Sequence, residues 1–98
     1  MLAYIDDNLG RELSLAGLAG VTGLSVSHFK TLFRQSVGLP VYQYVIQRRV
    51  ERARMLLSDT QLSISQVALE TGFAHQSHLA RHMRRLLSVT PAAIRHQR

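Results

Sequence analysis

The chain has 98 residues, 46% of them hydrophobic, which is enough for one compact domain or for two very small units that share a core. The absence of cysteine excludes disulfides and thiolate metal sites, and there is neither an apolar run of membrane-spanning length nor a signal-peptide pattern, so a cytoplasmic protein is expected. The formal net charge of +6 is divided into −2 over residues 1–24 and +8 over residues 25–98, a balance that suits nucleic acid, an anionic membrane surface or an acidic protein.

The first third of the sequence predicts three short helices. Residues 1–9 form an amphipathic segment, and Ser14 is typical of a residue that caps a second helix. Gly23 supplies a turn, and Ser25 caps a third helix that is expected to run to about Val37. The residues expected to face the core are Leu2, Ile5, Leu9, Leu15, Leu18, Ala19, Phe29, Leu32 and Phe33.

A long helix is expected next, from Pro40 to about Leu57, with a length of roughly 28 Å at 1.5 Å per residue. Its apolar band is broad, so we expect it to pack against the helices on both sides of it in the sequence. Arg49 falls inside this band, where an ion pair with Glu12 or Asp6 is at least as well supported as a DNA contact. The band consists of Tyr42, Val45, Ile46, Val50, Ala53, Leu56 and Leu57.

The stretch over residues 63–91 predicts a helix, a glycine turn and a second helix. Ser63 and Gln66 form a capping-box pattern that opens the first helix, and Gly72 can take the left-handed conformation of a turn. The second helix is expected over about 76–87. One face of it is apolar, with Leu79, Met83 and Leu86, and the opposite face is polar and basic, with Ser77, His78, Arg81, Arg84 and Arg85.

This stretch repeats the plan of the first third. The turns at Gly23 and Gly72 are 49 residues apart, and Ser27-His28-Phe29 matches Ser77-His78-Leu79 after one inserted residue. A repeat that aligns a turn, an apolar face and a polar face predicts two helix-turn-helix units. The alternative is two helical hairpins with structural roles only. A last short helix is expected over 92–96, after Thr90-Pro91.

The predicted fold class is therefore all-α, with two helix-turn-helix units joined by a long central helix and about seven helices in total. The expected division is a first helix-turn-helix subdomain over 1–39, a linker helix over 40–58 and a second helix-turn-helix subdomain over 59–98.

The sequence gives little support for a metal site, an enzyme or a cofactor. His78 and His82 have a spacing that can hold zinc, and His75 is near, but no cysteine or carboxylate accompanies them, so no metal site is predicted. No nucleophile-elbow pattern or glycine-rich phosphate loop is present, so neither an enzyme nor a cofactor is predicted. Tyr42 and Tyr44 could stack on unpaired bases, but their helical spacing favours the core. A basic module that binds RNA or an acidic protein stays the alternative to duplex DNA binding.

Several short motifs occur in order along the chain. The most specific are Gly72-Phe73, then Arg81 and Arg84 three residues apart, then Thr90-Pro91 and a final Arg95. The ordered set resembles the DNA-binding domain of the AraC/XylS family of bacterial transcription regulators over nearly the whole chain. The other positions that carry the resemblance are Tyr4-Ile5, Asn8-Leu9, Leu13-Ser14-Leu15, Leu18-Ala19, Ser25, Phe29, Phe33, Gly38, Pro40, Tyr44, Arg49, Ala53, Leu56-Leu57, Ile64, Val67-Ala68 and Leu79.

The resemblance implies a cytoplasmic, nucleoid-associated transcription regulator, either an activator or a repressor, that reads two adjacent major-groove segments of promoter DNA. Members often touch RNA polymerase, and most carry an effector or dimerisation domain, which is expected to lie outside this stretch. No membrane partner and no cofactor are implied. The matching positions put base-reading residues at Ser27, Lys30, Thr31, Gln76, Ser77, His78, Ala80 and Arg81. The residues predicted to contact phosphate are Arg34, Arg48, Arg52, Arg54, Arg84 and Arg85.

Four positions depart from the family's pattern. Leu39 and His75 stand where a capping serine is usual, so the long helix and the second recognition helix are expected to begin less firmly. Met83 replaces a usual phenylalanine, and Ser88 replaces a usual glycine. The basic face of the second unit is unaffected by these changes.

Overall fold

A computed structural model describes residues 1–97, and these residues form seven α-helices and no β-strand. The predicted all-α fold is confirmed: α2 and α3 form the first helix-turn-helix unit, α4 is the long connecting helix, and α5 and α6 form the second unit. The helices are α1 Leu2–Asp7, α2 Leu15–Thr22, α3 Val26–Val37, α4 Val41–Asp59, α5 Ile64–Glu70, α6 Gln76–Leu87 and α7 Pro91–His96.

Most helices begin at the side-chain caps that the sequence predicts. The hydroxyls of Ser14, Ser25 and Thr90 each accept a backbone N–H at 3.0–3.2 Å. The capping box of α5 is complete, because the Ser63 hydroxyl accepts the Gln66 N–H at 3.1 Å and the Gln66 side chain accepts the Ser63 N–H at 2.9 Å. Each such cap stabilises a helix start by about 1 kcal/mol, so the boundaries of these short helices are encoded locally.

The apolar side chains form two hydrophobic cores, one in each half of the chain, and α4 contributes to both. Val41 and Val45 belong to the first core, with Tyr44 packed against it, whereas Ile46, Val50, Ala53 and Leu57 belong to the second. The expectation that the long helix packs against both units is therefore confirmed. The first core is Ile5, Leu9, Leu18, Ala19, Phe29, Phe33, Val41 and Val45. The second core is Ile46, Val50, Ala53, Leu57, Val67, Ala68, Phe73, Leu79, Met83 and Ile94.

The two cores support the division into subdomains over 1–39, 40–58 and 59–98, which we propose on this basis. The connecting helix itself spans Val41–Asp59. Its start has no side-chain cap, as expected from Leu39, and Pro40 is the residue just before the helix rather than its first turn. At its other end, Arg95 Nε donates to the Leu57 carbonyl at 3.0 Å and ties α7 to the last turn of α4.

Three residues that we expected in the core lie at the surface. Leu2, Leu32 and Tyr42 keep 42%, 40% and 63% of their surface exposed. Tyr42 follows the same stripe of α4 as Ile46, but the second core ends at Ile46, so the ring projects beyond it. Leu2 and Leu32 line a groove of about 320 Å³ at the edge of the first core instead of filling its centre. Tyr44, by contrast, packs edge-on against Phe33 at 5.6 Å.

No helix within residues 1–97 has both the length and the hydropathy that a bilayer crossing requires.

The two 12-residue helices, α3 and α6, both end in a left-handed residue. Gly38 ends α3 with φ 87°, and Ser88 ends α6 with φ 59°. Ser88 is the one non-glycine residue with positive φ in the part of the chain that the structure describes. A side chain in this region costs roughly 1 kcal/mol, so the departure from glycine at Ser88 leaves strain at the end of α6.

We predict that Ser88→Gly raises the free energy of unfolding by up to about 1 kcal/mol, because glycine relieves the left-handed strain. Gly38→Ala is the matched substitution at the end of α3. It has open space for a methyl group and should lower the free energy of unfolding by about the same amount. Urea denaturation measures both. A Ser88→Gly variant less stable than the parent would show that the Ser88 side chain contributes more than the strain costs.

Candidate nucleic-acid interface

The turn of the first unit presents one face of α3 to solvent. Gly23 takes φ 75° and ends α2, and the Leu24 N–H donates to the Ala19 carbonyl at 3.2 Å. Burial of Phe29 and Phe33 against the first core then fixes the rotation of α3. The predicted base-reading and phosphate-contacting residues of this unit all lie on the exposed side: Ser27, Lys30, Thr31 and Arg34.

A groove of about 400 Å³ runs between this face of α3 and the start of α4. Lys30, Thr31 and Arg34 line it from α3, and Tyr42 lines it from α4. The groove thus has two cations on one side and a phenol on the other, a combination suited to a sugar-phosphate backbone. Sequence reasoning assigned Tyr42 to the core and missed its place here. No local sequence signal marks Tyr42 as exposed, because its exposure depends on where the second core ends on α4.

The second unit presents α6 in the same way. Gly72 takes φ 92° and Phe73 is buried behind it. Leu79 and Met83 are fully buried, which confirms the assigned faces of α6. Leu86 is half-buried beside them. The residues left exposed are Gln76, Ser77, Arg81, Arg84 and Arg85, and His78 and Ala80 are half-buried.

Gln76 is oriented by a neighbour on the other helix of its unit. The Ser65 hydroxyl of α5 donates to Gln76 Oε1 at 2.7 Å. The Gln76 Nε2 donors form no hydrogen bond within residues 1–97, so they can donate to a base acceptor such as N7 or O6 of a purine or O4 of thymine.

Four rings form a cluster at the start of α6, where the sequence raised the question of a metal. His78 lies 5.4 Å from Phe73, 5.9 Å from His75 and 4.9 Å from His82, measured between ring centroids. His75 Nδ1 accepts the His78 backbone N–H at 3.2 Å and so replaces the usual serine as the cap of α6. Within residues 1–97, no three histidine or carboxylate side chains are grouped so that they could hold a metal ion.

The surroundings of His78 and His82 favour their uncharged imidazoles. Burial lowers the pKa of His78, and the nearby charges of Arg81, His75 and Arg49 lower it further. Burial also lowers the pKa of His82, with further lowering by His78, Arg85 and Arg81. Arg85 donates to His82 Nδ1 at 3.0 Å, and because a guanidinium only donates, the proton of neutral His82 is on Nε2.

The arginines of α4 do not behave alike. Arg48 binds Asp6 at 3.0 Å and Glu51 at 2.9 Å, and the hydrogen bond to Asp6 is the main cause that raises its pKa. Its phosphate contact stays a prediction, but the guanidinium already has two carboxylate partners. These are the two ion pairs within residues 1–97. The remaining predicted phosphate contacts also stay predictions, and all lie exposed: Arg34, Arg52, Arg54, Arg84 and Arg85.

The ion pair of Arg49 with a carboxylate such as Glu12 or Asp6, one of the two roles considered for this residue, does not form within residues 1–97. Arg49 Nε donates to the Leu9 carbonyl at 3.0 Å, and Arg49 Nη2 donates to the Arg11 carbonyl at 2.9 Å. Asp6 forms an ion pair with Arg48 instead. Leu9 and Arg11 lie in the loop between α1 and α2, where no helical hydrogen bond uses their carbonyls, so the guanidinium can bind these carbonyls in place of a carboxylate.

Comparison with known proteins places this arrangement in a family. The sequence profile of the helix-turn-helix domain family matches residues 18–97. A crystal structure of an AraC-type transcriptional regulator from Chromobacterium violaceum superposes with a TM-score of 0.90 and 31% identity, covering 98% of this chain and 86% of that one. The chain belongs to the AraC/XylS family of helix-turn-helix domains.

Two further AraC/XylS relatives are informative. The transcriptional activator AarP of Providencia stuartii is 32% identical over 95 residues, which are 97% of this chain and 70% of AarP. The DNA-binding domain of AdpA, solved in complex with a target DNA, superposes with a TM-score of 0.94 and 31% identity, over 98% of this chain and 86% of that one. The chain spans only 29–36% of the length of three other curated relatives that it matches.

Because the folded protein lowers the pKa of His78 and His82, we predict a loss of stability in mild acid. Folding favours neutral His78 and His82, whose folded pKa values lie below the unfolded value of about 6.5. Their contribution to the free energy of unfolding is therefore complete above about pH 6.5 and is lost as the pH falls through the lowered folded pKa values. Urea denaturation at pH 7.5 and pH 5.0 measures the difference in the free energy of unfolding.

The double variant His78→Gln, His82→Gln should reduce that pH dependence. His28→Gln changes an exposed histidine of α3 outside the cluster and should leave the dependence as it is. If the double variant retains the full acid sensitivity of the parent chain, the cluster is not its source.

Proposed function

We propose that this chain binds promoter DNA in a sequence-specific manner, by placing α3 and α6 in two adjacent major-groove segments on one face of the duplex. The observation that carries the proposal is the pair of solvent-facing recognition helices held in one elongated body. The body measures 44 × 21 × 20 Å, and its long axis exceeds the roughly 34 Å of one turn of B-DNA. Two units on such a body can reach successive major grooves, with some bending of the DNA where the fit is imperfect.

The residues on the two faces are of two kinds: some suit contacts with bases, and others suit contacts with phosphates. Arg81 and Lys30 carry donors suited to guanine N7 and O6, and the exposed Gln76 keeps its amide N–H donors available. The exposed arginines around them, which form no ion pair within residues 1–97, supply phosphate contacts that fix the register of the protein and give salt-dependent affinity. The net charge of +6, concentrated in residues 25–98, adds attraction to DNA of any sequence.

The relatives support the same function. AdpA is described as a global transcriptional factor whose DNA-binding domain was solved with a target DNA, and AarP is described as a transcriptional activator. By this likeness we assign the chain to the DNA-reading part of a bacterial transcription regulator that acts at the nucleoid without catalysis or a cofactor. Contact with RNA polymerase, and an effector or dimerisation domain elsewhere in the protein, belong to the same proposal.

Selection from random duplex DNA at physiological salt tests the proposal. A motif in two parts, with centres about one turn apart, is the expected result. A motif in one part would show that a single unit reads bases. Salt-sensitive binding without any motif would contradict the proposal and favour the RNA-binding or acidic-protein-binding alternative.

Arg81 is predicted to read a base. Its side chain is exposed on α6, opposite the buried Leu79 and Met83, so truncation should leave folding nearly unchanged. Arg81→Ala should cost about 1–3 kcal/mol on the selected site and relax preference at one or two base pairs. Binding to single-base variants of the site measures this, with helicity checked by circular dichroism. Uniform weakening with unchanged base preferences would make Arg81 a phosphate anchor.

Arg84 is predicted to bind phosphate. Arg84→Ala should weaken binding to all DNA sequences about equally and reduce the slope of log affinity against log salt by about 1. Arg11→Ala is the charge-matched control, because Arg11 lies in the loop between α1 and α2, outside both recognition helices. Titrations at several salt concentrations measure the slope. An unchanged slope in Arg84→Ala would place Arg84 off the DNA.

A further inference from the structure

The first and second subdomains also touch each other directly through their backbones. The loop after α1 meets the turn between α5 and α6, and each side has a glycine at the meeting point. A Cβ on Gly10 would lie 2.6 Å from the Glu70 carbonyl oxygen. A Cβ on Gly72 would collide with the Leu9 carbonyl oxygen and would lie 2.6 Å from Arg49 Nε. The backbones therefore approach more closely than any side chain would permit.

Arg49 fills the centre of this meeting point. It comes from α4, and its fork donates to the carbonyls of Leu9 and Arg11 at 3.0 and 2.9 Å while Gly72 lies against its guanidinium. Burial lowers the pKa of Arg49, and no carboxylate within residues 1–97 forms an ion pair with it. We call Arg49, the two carbonyls, Gly10 and Gly72 the Arg49 junction.

The junction adds a constraint that the shared helix does not provide. Each core is built on a different stretch of α4, so bending or twisting of α4 between them would rotate one unit relative to the other. The junction connects the loop after α1, in the first subdomain, to the turn of the second unit at a point off the axis of α4. Gly72 belongs to the turn that leads into α6, so its position determines where α6 begins.

We propose that the Arg49 junction sets the distance and rotational phase between α3 and α6, and thereby the spacing between the two DNA segments that the protein reads. Arg49 is on this account a positioning residue for specificity rather than a DNA contact. The inference rests on the proposed reading of two major-groove segments. A planar fork suits this role, because its N–H donors point in fixed directions, whereas a lysine ammonium on a flexible stem would hold the two carbonyls less rigidly.

The test measures spacing preference, which a merely stabilising residue would not change. The parent chain, Arg49→Lys and Gly72→Ala are titrated against the selected site and against versions with one base pair inserted or removed between the segments. The parent should lose about tenfold in affinity when the spacing changes, since a displaced segment costs at least as much as one mismatched base pair. In both variants the ratio between correct and altered spacing should fall by about threefold or more, because the second unit is less firmly oriented.

Two matched controls accompany the variants. Arg11→Ala removes a charge beside the junction but keeps the carbonyl that Arg49 binds. Gly20→Ala adds a methyl group to α2 in open space. Both should keep the spacing ratio of the parent. If Arg49→Lys and Gly72→Ala lose affinity equally at every spacing, the junction inference is wrong while two-segment reading stands. If the parent chain itself ignores spacing, the proposed two-segment reading is wrong, and the inference is overturned with it.

A second measurement, which needs no DNA titration, applies if a variant binds too weakly or is too unstable to be titrated. The chain has no cysteine, so cysteines at the exposed positions Gln35 and Gln61, one in each of the first and second subdomains, can carry spin labels without interference. The distance distribution between the labels should be narrow in the parent chain and broader in Arg49→Lys, at a temperature where both remain helical. Equal widths would contradict the inference.

Discussion

The burial of one helix in two cores is the constraint on which the rest of the structure depends. Neither half of the chain has enough residues for a large core, and α4 supplies each with part of its apolar surface. Val41 and Val45 complete the first core, and the stripe from Ile46 to Leu57 completes the second. Loss of α4 from either core would expose the apolar faces of that recognition helix, so folding of the two units is coupled through this element.

On the proposed function, the same constraint would let a small all-α chain act as a rigid reader of DNA. The apolar faces of α3 and α6 are committed to cores that share a helix, which leaves only their polar faces for a ligand. The carbonyls after α1 and the turn at Gly72 then add a contact between the units through Arg49. Rigidity matters here, because two weak groove contacts reinforce each other only when they are held at the correct separation.

The sequence predicted those features that depend on neighbouring residues. The caps at Ser14, Ser25 and Ser63, the turn at Gly72 and the bounds of α6 follow from local hydrogen bonding and backbone preferences. The features it missed depend on distant contacts. Arg49 binds carbonyls 38 and 40 residues away, and periodicity does not show which acceptors remain free. Tyr42 was misassigned for the same reason, since its exposure depends on where the second core ends.

Methylation footprinting on a site recovered by selection tests the central claim most directly, because it probes guanine N7 in the major groove. The account predicts protection of guanines in two segments on one face of the duplex, with centres about 10 base pairs apart. Both segments should become protected over the same range of protein concentration, since a single rigid body delivers both helices. Protection of one segment alone, with the other fully reactive at saturating protein, would contradict the claim that both recognition helices enter the DNA.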